Sequence, residues 1–276
     1  MIPPLPFSLT PAQQQRADEL LKRAEAESLD LDELASEEND KAVKIELQRI
    51  NAERHPDTIR ILKEYGASVG NLGHHRQALE IFGRCFTLDG SDFHALIQYL
   101  HALYFLQRYE DILREVEKAP KAEEAEDRAQ LLYWKTNALL DLGRYEEALE
   151  PGEDAFYLWR DNHWMTFSLG YAHYELGHYE EAIRYYNETI KLKPDFRTPY
   201  LNKACMYSLL GKYQESYLCL MQIYDLDKAY FKTIPEDDEL DGVLNSEYGP
   251  ELRRLIESIP GEGRDDEPDL RDEISY

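Results

Sequence analysis

The chain has 276 residues, a formal net charge of -24, 43% hydrophobic residues and 20 tyrosines. That acidity argues against a nucleic-acid backbone or an anionic membrane as partner, because both select a basic surface; cationic or apolar partners fit better. Cys85, Cys205 and Cys219 have no C-x-x-C spacing, which disfavours a disulfide framework or a zinc site and suits a reducing compartment.

The opening residues, MIPPLPFSLTPAQQQ, lack a basic start and an uninterrupted apolar run, and no stretch approaches a membrane span. The simplest placement is the cytoplasm. Thr10-Pro11-Ala12-Gln13 reads as a helix start, with threonine as N-cap, proline at the first helical position and glutamine three residues on. The helix is expected to run to about Ser28, with Ala17, Leu20, Leu21 and Ala24 on one face. After the acidic stretch 30–40, a second amphipathic segment places Val43, Leu47 and Ile50 on one face until His55-Pro56 stops it. Residues 1–58 read as a helical N-terminal cap. The ending Arg54-His55-Pro56-Asp57 parallels Leu192-Lys193-Pro194-Asp195, so a degenerate extra repeat is the alternative.

From Ile59 a period takes over. Gly177-His178-Tyr179 with Ala182 has a counterpart 34 residues earlier in Gly143-Arg144-Tyr145 with Ala148, and another 34 residues later in Gly211-Lys212-Tyr213 with Ser216. A fixed period of that length marks stacked helix-turn-helix units rather than one globular core. Counting Gly177 as place fifteen gives repeats 59–92, 93–128, 129–162, 163–196 and 197–230, with a two-residue excess absorbed in the polar connection 119–127. Within a repeat, small residues such as Gly170 and Ala182 face a large one such as Tyr186, which lets the two helices approach closely. Glu150-Pro151-Gly152 falls where the second helix of the third repeat should run, and a kink or break is expected there. After Tyr230 the period ends. Residues 231–259 read as a C-terminal capping segment with a short helix opened by Pro250, and 260–276 as an acidic disordered tail.

The fourth repeat supplies Thr166, Leu169, Gly170, His173, Ala182, Tyr186 and Pro194, and the first supplies Leu62, Tyr65, Gly66, Val69, Ala78 and Phe82. On these residues the chain resembles the tetratricopeptide repeat family, whose pattern is W-x2-L-G-x2-Y, then A-x3-F, then P. The second and third repeats depart from it, with Leu100 where glycine is usual and Lys135-Thr136 in place of Leu-Gly. The resemblance implies an all-α fold, a right-handed superhelical solenoid of about five helix-turn-helix repeats with helical caps, whose inner wall is the first helix of each repeat. Carried onto the family's inner-wall places, it nominates a partner-binding groove of His101, Tyr104, Tyr133, Trp134, Asn137, Trp164, Phe167, Tyr171, Tyr174 and Asn202. Aromatic anchors of this kind dominate binding hot spots. The lysine and asparagine places by which some members hold the C-terminal carboxylate of chaperones are not matched: beyond Lys63 the chain has Ala67, Gln98, Gln130 and Trp134. A carboxylate-clamp binder of chaperone tails is therefore disfavoured.

The eight histidines include no pair with i, i+4 spacing and a third ligand, and no phosphate loop, nucleophile elbow or catalytic carboxylate pair stands in a recognisable context. No catalytic residue, metal or cofactor is assigned. The expected function is a non-catalytic interaction scaffold, an adaptor or chaperone-like protein holding a partner's peptide or helix with apolar and cationic segments. The alternative is a regulatory or sensor subunit that binds a small molecule or signalling peptide and changes its superhelical pitch.

Overall fold

The computed structural model describes residues 2–27 and 29–260, and all of its regular elements are helical. The acidic tail expected for 260–276 therefore lies outside the described residues beyond Pro260. No helix among the described residues is long and apolar enough to cross a membrane. Contacts separate the chain into two compact units that meet in sequence between Glu123 and Glu124.

The N-terminal unit holds α1 (Pro11–Glu27), α2 (Leu31–Glu37), α3 (Lys41–Arg54), α4 (Ile59–Gly70), α5 (His75–Leu88), α6 (Phe93–Phe105) and α7 (Tyr109–Lys118). The capping box forms: Thr10 Oγ1 accepts from the Gln13 amide at 3.3 Å while Gln13 Oε1 accepts from the Thr10 amide at 3.0 Å. The acidic stretch contains a helix the composition concealed. Asp30 caps α2 by accepting from the Asp32 amide at 2.9 Å, and Leu31, Leu34 and Ala35 turn inward onto Ala17, Leu20, Ala24, Val43 and Leu47. Such a cluster is what the apolar stripes of α1 and α3 required.

The C-terminal unit holds α8 (Ala125–Asp141), α9 (Tyr145–Leu158), α10 (His163–Glu175), α11 (Tyr179–Leu192), α12 (Thr198–Leu209) and α13 (Tyr213–Leu226). These are three antiparallel pairs, each packed on the next, the arrangement of a helical solenoid. α8 starts inside the segment read as a connection, with Glu126 and Asp127 in its first turn, where the helix dipole favours acids. The pair turns share one geometry in both units: Gly73, Gly143, Gly177 and Gly211 have φ between 69° and 80°, and Gln107 takes the same left-handed conformation at 57°. The helices around Gly170 are close enough that an added Cβ would lie 2.6 Å from the buried Tyr186 ring.

The break expected at Pro151 is absent. α9 runs through it, and both Pro151 and Gly152 are buried. A Cβ on Gly152 would stand 2.8 Å from Leu169 and 3.2 Å from Thr136, so the glycine serves close packing of α9 on its neighbours. Beyond α13 follow α14 (Lys228–Phe231), two 3-10 turns (Ile234–Glu236 and Asp238–Leu240), α15 (Asp241–Leu244) and α16 (Gly249–Ser258). Phe231, Ile234, Leu240, Val243, Leu244 and Leu252 from this stretch close the core of α12 and α13 over Ala204, Leu220 and Ile223.

Candidate functional site

The nominated residues separate into packed and surface-lining groups. In the N-terminal unit, Tyr104 is buried with its ring edge-on to Tyr109 at 5.5 Å, and the partly buried His101 lies 4.7 Å from Phe105, which in turn stacks on His75 at 4.4 Å. In the C-terminal unit Tyr133 and Trp134 are each only 1% exposed and pack edge to face at 5.4 Å. Asn137 is buried too. Its Nδ2 donates to the Tyr133 carbonyl at 3.0 Å and its Oδ1 accepts from Ser168 Oγ at 2.8 Å, which ties α8 to α10. Tyr104, Tyr133, Trp134 and Asn137 thus act in packing and present almost no surface to a ligand. A sequence period fixes the face a residue takes, and it says nothing about what packs over that face.

The partly buried set is Trp164, Phe167, Tyr171 and Tyr174 on α10 with Asn202 on α12. Trp164 and Phe167 are one turn apart and both meet Phe196, at 5.1 and 5.0 Å between ring centres, with His163 4.9 Å from Trp164. Phe196 was missed because it lies in the polar connection after Pro194. Its signal was the hydrophobic staple: it precedes the Arg197 cap, with Leu201 at the fourth helical place. Burial lowers the pKa of His163 and, with Glu175 and Tyr145 beside it, raises that of the Tyr171 phenol. Both are therefore neutral near pH 7. Asn202 Nδ2 donates to the Tyr186 hydroxyl at 2.8 Å and so serves α11 as much as any groove.

Toward the C-terminal end the same face is covered. The Tyr174 hydroxyl donates to a carboxylate oxygen of Glu239, and the Cys205 thiol donates to Asp237 Oδ2 at 3.4 Å. The turn 237–240 therefore lies across α10 and α12, a contact the irregular spacing after Tyr230 did not reveal. Cys205, Asp237 and Glu239 bring ligand atoms within 4.8 Å of one another. The thiol is a poor metal ligand as it stands, since burial and the adjacent Asp237 carboxylate push its pKa well up.

Models described as tetratricopeptide repeat match residues 167–196 and 198–230. The chain is similar to an uncharacterized protein of Methanocaldococcus jannaschii, 34% identical over 64 residues, covering 23% of this chain and 74% of that protein. It is also similar to an N-terminal acetyltransferase A complex subunit-like protein of Schizosaccharomyces pombe, 30% identical over 92 residues, covering 33% of this chain and spanning only 12% of that protein's length. Among solved structures it is similar to YrrB, described as a TPR protein with an unusual peptide-binding site, with a TM-score of 0.52, 16% identity, and coverage of 68% of this chain and 96% of that one. At that identity the likeness speaks to the fold.

Proposed function

The chain belongs to the tetratricopeptide repeat family, and on that premise we propose that it is a non-catalytic protein-interaction scaffold that takes a partner's peptide or helix on the α10 face of the C-terminal unit. The observation that carries this reading is the partly exposed pair Trp164 and Phe167, braced from behind by Phe196. Rings fixed by packing give contact area at little entropic cost. The recognition surface runs from Trp164 through Phe167 to Tyr171, and it ends where Glu239 engages Tyr174. Asn137 supports it from α8 through its hydrogen bond with Ser168. A partner segment with apolar anchors and flanking cations suits both the rings and the net charge of -24. The three free cysteines are all buried, which fits the cytoplasm, where we place the protein.

The test is affinity purification of the intact chain from its own cells, with partners identified by mass spectrometry, repeated with Trp164→Ala and Tyr171→Ala. The variants should keep a helical circular dichroism spectrum and lose the captured partner by tenfold or more. Equal capture by wild type and folded variants would refute the assignment.

A further inference from the structure

In the N-terminal unit an extended segment lies on α4 and α5, elements that carry none of the residues proposed above. The segment Ile2-Pro3-Pro4-Leu5-Pro6-Phe7 carries three prolines, whose fixed φ and missing N–H preorganise an extended strand with carbonyls as its polar groups. Those carbonyls are read by side chains. The Tyr65 hydroxyl on α4 donates to Pro3 O at 3.0 Å and reaches Pro4 O at 3.3 Å, while Gln77 Nε2 on α5 donates to Pro4 O at 3.1 Å. Ile2 is buried among Ile61, Leu62, Tyr65 and Ile81, with Leu5 and Phe7 packed against the same cluster. An aromatic hydroxyl and an amide aimed at proline carbonyls beside an apolar slot is the chemistry by which polyproline strands are recognised.

The dimensions agree. From Ile2 to Pro6 a polyproline strand advances about 12 Å, and from Arg84 back to Arg76 helix α5 covers about the same length. The strand enters beside Ile81 and Arg84 and leaves beside Gly73 and Gln77, antiparallel to α5. Open surface depressions adjoin both ends of the strand. A cleft of about 300 Å³ adjoins Ile2 and Pro3 between Glu80, Arg84 and Thr87, and another of about 310 Å³ adjoins Pro6 beside His74 and Arg76.

We propose that the α4–α5 face is a docking track for proline-rich extended segments, filled in this chain by its own residues 2–6 and taken by the proline-rich segment of a partner protein in exchange. The donors address backbone carbonyls, so the track selects the strand conformation more than particular side chains. The tethered segment competes at an effective concentration on the order of millimolar. A partner segment therefore gains by also filling the two end clefts.

The probe is a fluorescein-labelled peptide Ile-Pro-Pro-Leu-Pro-Phe-Ser, followed by anisotropy against the full chain. Ile2→Asp with Leu5→Asp releases the resident strand, and Pro3→Gly with Pro4→Gly loosens it while keeping Ile2, should the first variant melt too low. The released chain should bind the peptide saturably and at least tenfold more tightly than wild type does. Adding Tyr65→Phe and Gln77→Ala should weaken that binding about tenfold, and replacing the peptide's prolines by alanine should abolish it. No saturable binding to a folded, released chain would overturn the proposal. So would a wild-type dimer in light scattering that free peptide converts to monomer, because the exchanged strand would then belong to a second copy.

Discussion

Gly170→Ala tests the packing that holds the α10 face in place. The new Cβ would lie 2.6 and 2.7 Å from two carbons of the Tyr186 ring. Carbon contacts are comfortable at roughly 3.5–4.0 Å, so the ring must retreat by about 1 Å. Tyr186 is fully buried, and its hydroxyl accepts from Asn202 at 2.8 Å, so retreat also disturbs that hydrogen bond. Overpacking costs about 1–3 kcal/mol and the hydrogen bond about 1 kcal/mol, against about 1 kcal/mol regained from alanine's helix propensity. The net loss is about 1–3 kcal/mol, equivalent to a melting point lowered by roughly 2–12 °C. Urea and thermal denaturation followed by circular dichroism measure it. Tyr186→Leu should cost less in the Gly170→Ala background than in wild type, because the smaller side chain yields the space. A Gly170→Ala chain as stable as wild type would refute the claim that this contact sets the α10–α11 approach.

Two further substitutions probe strain and protonation. Gln107 holds a left-handed conformation that glycine supplies in the equivalent turns of Gly73, Gly143, Gly177 and Gly211, so Gln107→Gly should stabilise by about 0.5–1 kcal/mol; an unchanged or lower denaturation midpoint would count against it. His173 has both ring nitrogens buried without a hydrogen-bond partner, and burial followed by the neighbouring His178 lowers its pKa. The native state therefore favours the neutral ring. As pH falls below about 6.5 the unfolded chain takes up a proton that the native state refuses, and stability is lost down to the lowered native pKa. His173→Phe should raise stability at neutral pH by up to about 1 kcal/mol and reduce that acid slope. Because the pKa values of His94 and His163 are also lowered, the slope is reduced rather than abolished; an unaltered slope would exclude His173 as a contributor.

The helical-repeat fold was legible in the sequence because its contacts are local and recur. Gly177 and Ala182 appear at fixed offsets from their counterparts, and each offset has a steric cause. α2 was hidden because a seven-residue helix in an acidic run owes its existence to the α1 and α3 surfaces it covers, not to its own composition. At the candidate site the repeat family's inner-wall places, carried onto this chain, put Trp164, Phe167, Tyr171 and Tyr174 on one helix face. They could not distinguish Trp134, which is buried, from Trp164, which is only partly so. The contacts that end the surface, Glu239 on Tyr174 and Asp237 on Cys205, join residues 65 and 32 positions apart and leave no local trace.

The closure of α12 and α13 by Phe231, Ile234, Leu240, Val243 and Leu252 also bears on how the protein is made. Synthesis runs from the N-terminus, so α8 to α11 can pair as they emerge, while the last pair keeps an apolar flank open until Leu252 has left the ribosome. During that interval Tyr174 and Cys205 have no carboxylates to engage. The α12–α13 pair therefore completes its core only after residues made later in synthesis fold back onto it.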